Sequence, residues 1–492
     1  MNQPLYIHEI QDLFDEVQRS EIFEDQKMMT DAVPLFPVPE INEKYHREKL
    51  MMDFNLKKFI LSNFEFLGAK VSLQKEDHLP IEDHIERLWD ELTRTSYEEK
   101  GTLLRLPEPY VVPGGRFNEF FYWDSYFIML GLQVSGRLKM MENIIENCAY
   151  LIREYGFVPN GSRTHFLTRS QPPYFSLMLD LLFETTGDES VYVTYYDALE
   201  KEYAFWMDGA AQLENGSAVK RVVKTDGGDI LNRYYDAENE PRPESYLIDI
   251  NDSENAGTEF YRNIRSACES GWDFSSRWFA DAEHIQTIET LNLAEVDLNC
   301  LLWHLEKTLA ISSSLQKLTE KEIDYSKKAA KRRQMVDQYF WEENSGTYKD
   351  YHIQKNTKTP SEHIAALYPL FMKIATENQA AAVAKNIEEK FLYQGGLVTT
   401  TKNSGQQWDL PNAWAPYQWL GFKAMKNYGF DDLAGKIKNN WCANVERVYK
   451  NTGKLMEKYN ALDIETIAGG GEYPNQDGFG WTNGVYLQLK QN

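Results

Sequence analysis

Leu298, Leu301, Leu302, Leu305 and Leu309 recur three and four residues apart, which gathers them on one side of an α-helix and excludes the two-residue alternation of a half-buried strand. Asp297 precedes the run and is expected to cap it. The same period governs Met141, Ile144, Ile145, Cys148, Leu151 and Ile152, so both stretches read as amphipathic helices. It returns around Leu199, Tyr203 and Trp206, through "HIAALYPLF" at 363–371, and from Trp414 through Tyr417, Leu420 and Ala424, where Pro416 is expected at the helix's first position. Strand-like alternation is rare and short. Gly, Pro and Asn clusters separate the helical stretches, with no visible internal repeat. The reading is an all-α protein with a single catalytic domain over residues 51–492. The Pro-rich "DAVPLFPVPE" at 31–40 predicts that residues 1–50 form an extended N-terminal arm packed on that body.

Charge narrows the choice of partner. Asp and Glu outnumber Lys and Arg by 75 to 52, a formal charge of −23, which repels phosphate backbones and anionic membranes. Neither nucleic acid nor a membrane is expected as a partner, and the chain is expected to be a monomer. Cys148, Cys268, Cys300 and Cys442 are far apart and form no CxxC pair, which points to a reducing compartment. The opening "MNQPLYIHEIQDLFDEVQRS" has neither the basic start nor the apolar run of an export signal, and no stretch reaches the length of a membrane span. A cytoplasmic location is the expectation.

Chemistry concentrates in four polar stretches set among aromatics. In "PGGRFNEFFYWDSYF" at 113–127, Arg116, Glu119 and Asp124 stand between Phe117, Phe120, Phe121, Tyr122, Trp123, Tyr126 and Phe127. "FVPNGSR" at 157–163 and "TRSQPP" at 168–173 add Asn160, Arg163, Arg169 and Gln171. Guanidinium forks and amides suit vicinal hydroxyls, and aromatic faces suit the C–H face of a sugar ring. Taken singly, each residue is better read as a helix cap or a surface ion-pair partner; the clustering favours a site. A second stretch joins "RPES" at 242–245 to "ESGWDFSSRW" at 269–278, where Asp273 lies beside Trp272. An apolar wall raises a carboxyl's pKa as a general acid requires, while a helix N-cap with Ser275 and Ser276 nearby is the competing reading. In "QQWDLPNAWAP" at 406–416, Trp408 and Trp414 flank Asp409, as a sugar floor or as core. The fourth stretch, 457–485, carries Gly469, Gly470, Gly471 and Glu472, expected to close over a ligand.

Several chemistries are missing from the pattern. No Gly-Lys-Ser/Thr follows the glycines, no HExxH or tight His cluster occurs among the nine histidines, and no G-x-S-x-G elbow is present, so a phosphate-binding loop, a catalytic metal and a Ser/His/Asp hydrolase are not expected. Carboxylates near aromatics remain, and they point to acid/base cleavage of a glycosidic bond.

The stretches at 113–127 and 406–416 closely resemble the two signatures of trehalases. "IFEDQKMMTDAVP", "NGSR", "RSQPP", "RPES", "ESGWDFSSRW" and "GGGEYPNQDGFGWTNGV" resemble further trehalase blocks in the expected order, covering nearly the whole chain from about Leu13. The resemblance implies an (α/α)6 toroid whose end loops carry the site, and hydrolysis of α,α-trehalose to two glucose molecules with inversion and without a cofactor. It implies Asp273 as general acid and Glu457 as general base, facing each other at about 6.5–9.5 Å to leave room for water. Arg116, Trp123, Asp124, Asn160, Arg169, Ser170, Gln171, Arg242, Glu244, Gly271 and Glu472 fall on positions that bind the disaccharide in the family. Two positions depart from it. Ala413 stands where many relatives have Gly, and Asn460 where an Asp often follows "EKY". Another inverting α-glucosidase, a disaccharide phosphorylase on the same toroid, and an inactive sugar-binding protein are the alternatives.

Overall fold

The computed structural model describes residues 4–66, 79–466 and 468–492. Helices dominate, and strands are two or three residues long. In chain order the helices used below are α1 (Gln11–Arg19), α2 (Val38–Glu48), α3 (Leu56–Asn63), α4 (Ile81–Glu91), α5 (Tyr122–Val134), α6 (Leu138–Tyr155), α7 (Phe175–Thr186), α8 (Tyr196–Trp206) and α9 (Phe260–Glu269). They continue as α10 (Val296–Leu315), α11 (Thr319–Met335), α12 (Tyr368–Phe371), α13 (Glu377–Asn386), α14 (Ala415–Asn427), α15 (Asp431–Thr452) and α16 (Gly480–Gln491).

Among the described residues, α5, α7, α10, α12, α14 and α16 touch in succession, and α16 packs back on α5 to close a ring of six. These helices are buried on almost every side: α5 has no exposed position from Tyr122 to Leu132, and α16 none from Gly480 to Leu487. Helices α6, α8, α11, α13 and α15 alternate with them in sequence, and α4 packs on α16. Each outer helix buries one stripe, as the period of Met141 to Ile152 on α6 requires.

The Leu298–Leu309 stripe therefore belongs to an inner helix and not to an amphipathic one. Its polar neighbours do not reach water: Asn299 pairs with Asn232, Glu306 with Arg332, and Asp297 with Arg277. A polar letter marks solvent only where no buried partner awaits it. For the same reason Asp297 does not cap α10. Glu295 occupies the N-cap, and Asp297 sits in the first turn facing Arg277.

The Pro-rich stretch is extended only in part. Val33 and Pro34 pair with Glu65 and Phe64, but Pro37 opens α2 and the chain is helical from Val38. With α1 and α3, this segment buries Leu5, Ile10, Leu13, Phe14, Ile41, Tyr45 and Phe59 in a small apolar cluster that also takes in Tyr246. Residues 1–3 of the expected arm lie outside the described residues. No helix among the described residues is long and apolar enough to cross a membrane.

Candidate active site

The segments preceding or opening α5, α7, α14 and α16 meet at one end of the ring and line a pocket with about 60 Å³ of free internal space. Seven of the thirteen residues expected at the site line it: Trp123, Asp124, Asn160, Gln171, Gly271, Asp273 and Glu457. Asp124 occupies the first turn of α5. Gln171 accepts from the Trp123 N–H at 3.0 Å, and Asn160 donates to the Cys268 carbonyl at 3.1 Å, so the side chains that face the pocket also tie its loops together. Gly271 has φ +79°, and a Cβ there would stand 2.8 Å from the Trp123 ring. Only glycine lets the Asp273 loop lie against that indole.

Of the other six, none of which lines the pocket, five are engaged in ion pairs and Ser170 in hydrogen bonds. Arg116 holds Asp25 of the N-terminal segment at 2.7 and 3.0 Å and lies 4.7 Å over the Tyr473 ring. Arg169 donates to Glu244 at 2.7 Å. Arg242 bonds Asp249 and Glu472, and Ser245 donates to the second Glu472 oxygen at 3.0 Å. Ser170 gives its hydroxyl to the Val158 carbonyl and its N–H to Glu269, so it acts on the loop. All three arginines are thus committed to carboxylates.

Asp273 is not an N-cap. Ser275 caps the short helix that follows, accepting from Arg277 N–H. The stretch 275–277 is held from below: Asp409 accepts from the Ser275 hydroxyl, the Ser276 N–H and the Ser276 hydroxyl at 2.8–3.0 Å, and from Thr400 at 2.7 Å. Arg277, fully buried, bridges Asp297 and Asp350 with four bonds of 2.7–3.0 Å. Asp409 and Arg277 thus carry the loop of Asp273 without facing the pocket.

Glu457 immediately precedes β2 (Lys458–Asn460), which pairs antiparallel with β1 (Asn412–Trp414) so that Trp414 faces Lys458. Ala413 lies in β1 opposite Tyr459 and is not among the positive-φ residues, so its methyl is accommodated where relatives carry Gly. Asn460 accepts from the N–H groups of Leu462 and Asp463 and donates to Thr466; it shapes the turn and does not touch Glu457. In the glycine stretch, Gly471 has φ +82° and a Cβ there would meet the Gln407 side chain at 2.7 Å, which brings the segment of Glu472 and Tyr473 against the pocket.

Burial, then the Glu472 charge, pushes the Asp273 carboxyl up to about 7; Arg242 opposes this. Asp273 is partly exposed, but what it faces is the pocket rather than open solvent. Burial also raises Glu457, against Lys458, the Tyr473 hydroxyl and Arg116. Burial raises Asp124 well above the usual carboxylate range, with Glu457 and Asp273 adding to it. Three carboxyl groups in one pocket cannot all ionise at neutral pH without mutual cost. Among the described residues, no group of three or more His, Cys, Asp and Glu side chains is arranged to hold a metal ion.

Phe117 and Phe121 of the 113–127 stretch line the pocket, as do Tyr473, Phe479 and Trp481, which no sequence pattern marks. Trp408 and Trp414 stack at 4.0 Å and 3°, and both line the pocket while almost fully buried. They are floor and core at once. In 113–127, by contrast, Phe120, Tyr122, Tyr126 and Phe127 are packing.

The trehalase family model matches residues 16–492. The chain belongs to the trehalase family. It is 44% identical over 485 residues to the periplasmic trehalase of Pseudomonas aeruginosa, covering 97% of this chain and 88% of the relative. It is 42% identical to the putative periplasmic trehalase of Salmonella typhi, covering 97% and 85%. The fold is shared with neutral trehalase from Saccharomyces cerevisiae (TM-score 0.63, 23% identity, 85% of this chain and 80% of that one). It is shared also with a mannosylglycerate hydrolase from Thermus thermophilus (TM-score 0.57, 15% identity, 84% and 100%).

The relatives overturn the expected cytoplasmic location, since these trehalases are named periplasmic. The residues used for that expectation report packing, not address: Leu5, Ile7, Ile10, Leu13 and Phe14 are buried in the fold. The four cysteines are free and buried, a state compatible with either compartment.

Proposed function

We infer that this trehalase-family chain hydrolyses α,α-trehalose in the periplasm, with Asp273 as general acid and Glu457 as general base. The observation that carries the reading is the convergence of these two carboxyls on one tryptophan-floored pocket in different electrostatic settings. Asp273, held protonated toward neutral pH, gives its proton to the bridging oxygen as the C1–O bond breaks. Glu457 takes a proton from water as the water oxygen bonds to C1 from the opposite face, which inverts that carbon. Trp123, Asp124, Asn160, Gln171 and Gly271 surround the glucosyl unit. Arg116, Arg169, Ser170, Arg242, Glu244 and Glu472 support it through their ion pairs and hydrogen bonds. The chain acts as a monomer on this small molecule, without nucleic acid or membrane, and residues 1–50 brace a single catalytic domain over 51–492 through contacts such as Asp25–Arg116.

An NMR time course on trehalose tests the reading: one α- and one β-glucose are expected at first, without inorganic phosphate. Two α-glucose molecules, or a phosphate requirement with release of glucose 1-phosphate, would refute it. A phosphorylase is disfavoured because Arg116, Arg169 and Arg242 already hold carboxylates.

The raised Asp273 carboxyl has two consequences for pH. Activity needs the proton on Asp273, so kcat/KM should fall as pH rises through about 7. Stability follows the same group: an unfolded Asp titrates near ~3.9, so the folded state binds the extra proton between there and about 7. The stabilisation is complete below the unfolded value and is lost as pH rises through the folded one. Asp273→Asn should therefore raise the unfolding midpoint relative to the parent more at pH 8 than at pH 4.5; an equal difference at both would remove the carboxyl as the source.

A further inference from the structure

The environment of Glu457 contains a cation that the mechanism above does not use. Glu457 Oε1 accepts from the Tyr473 hydroxyl at 3.0 Å, while Oε2, which is buried, has no hydrogen-bond partner among the described residues. Lys458 is adjacent and its side chain is completely buried, yet Nζ stays 3.8 Å from Oε2. It is held there by the Gln407 Oε1 acceptor at 2.7 Å and lies 5.2 Å over each of the Trp414 and Tyr473 rings. The Gln407 amide donates from its other end to the backbone carbonyl of Asp273 and, at 3.4 Å, to the Tyr473 hydroxyl. Its orientation is set by these partners, because a flipped amide would turn its own N–H groups on the ammonium.

An ammonium buried in this way costs several kcal/mol of desolvation, and a methionine would fill the space more cheaply if packing were all that mattered. A direct ion pair would recover more of that cost than the observed geometry does. The charge instead bonds a neutral acceptor one step from the carboxylate.

Resting on the assignment of Glu457 as base, we propose that Lys458, Gln407 and Tyr473 are its positioning residues. Tyr473 occupies one carboxylate oxygen, so that Oε2 is the atom that receives the proton from water. Lys458 supplies the positive field that favours the ionised base, and Gln407 holds that charge off Oε2 so that its lone pairs stay available. Gln407 also ties this assembly to the backbone of Asp273, which keeps acid and base in register.

The electrostatics of the pocket agree. Lys458 is the largest influence opposing the burial that raises Glu457, followed by the Tyr473 hydrogen bond, with Arg116 behind them. Asp273 and Asp124 are the like charges facing Glu457 across the pocket. The Lys458 ammonium is itself pushed down by burial and supported by Glu457 and Asp273.

The test is the acid limb of the kcat/KM–pH profile on trehalose, measured for three variants. Lys458→Met removes the charge and keeps the stem. Its acid limb should move up by about 1 unit or more, with kcat about tenfold lower or less and KM little changed. Gln407→Leu keeps the charge but releases it onto Oε2; kcat should again fall, but the acid limb should move down. Tyr473→Phe should lower kcat and move the limb up.

Opposite displacements in Lys458→Met and Gln407→Leu are what general loosening of the pocket cannot produce. Limbs at the parent's position in both, or displaced the same way, would overturn the proposal. Should Lys458→Met lose its near-ultraviolet circular dichroism, Gln407→Leu and Tyr473→Phe decide alone: a limb that fails to fall in the first or to rise in the second overturns it. Glu457→Gln in parallel separates the levels, because near-normal turnover there would remove the base assignment itself.

Discussion

Glu457→Gln and Asp273→Asn are each expected to lower kcat on trehalose by about 10²–10⁴-fold, the range for losing a positioned acid or base. Binding should survive, measured by calorimetry on the inactive protein, because both replacements keep the volume and part of the hydrogen bonding. The two variants should differ in pH behaviour. With the roles proposed above, the alkaline limb belongs to Asp273, which must carry a proton and is raised to about 7 by burial and by Glu472. The acid limb belongs to Glu457, which must lose its proton. Residual activity of Asp273→Asn should therefore lack the alkaline limb, and that of Glu457→Gln the acid limb. A variant with near-parental kcat would show that its carboxyl is not the one transferring a proton.

Arg277→Met is expected to destabilise the protein by about 3–5 kcal/mol, the cost of leaving buried charge uncompensated. Its guanidinium carries Asp297 from the first turn of α10 and Asp350 from the segment after α11, and all three side chains are almost wholly buried. Removing it leaves Asp297 without its cation and Asp350 with only the buried His363 imidazole at 3.1 Å. Arg277 is also bonded through its backbone to Ser275, two residues from Asp273, so activity should fall with stability. A shift in the denaturant midpoint measures the first effect. If the midpoint stays at the parental value, the network does not hold this end of the ring.

The chain shows how far a pattern of residue types can specify a site. Asp273 beside Trp272 and Glu457 beside Lys458 are visible in the sequence, as is the aromatic setting of Asp124. Invisible is the direction in which each side chain turns. Arg116, Arg163 and Arg169 read as donors for hydroxyls, and each proves to be engaged by carboxylates distant in sequence: Asp25, Asp31 with Glu119, and Glu244. Arg242, a disaccharide-binding position by resemblance, is held by Asp249 seven residues on and by Glu472. Asp409 reads only as the residue flanked by Trp408 and Trp414, whereas its five acceptor contacts go to the loop beneath Asp273 and to its own turn.

Helical period was enough to specify an all-α chain, and ordered motifs to single out Asp273 and Glu457, because these depend on local spacing and on residue identity. Which helices form the inner ring could not be read from the period, since a polar side chain such as Asp297 or Glu306 is buried only when a partner from another segment meets it. The same holds for the surroundings of Glu457. Glu457 is marked by its motif, but the free oxygen, the offset ammonium of Lys458 and the amide of Gln407 that holds it there exist only once β1, β2 and the glycine stretch fold against one another. Hydrogen bonds and charge act over a few ångströms in space, and the chain brings those atoms together only in its tertiary structure.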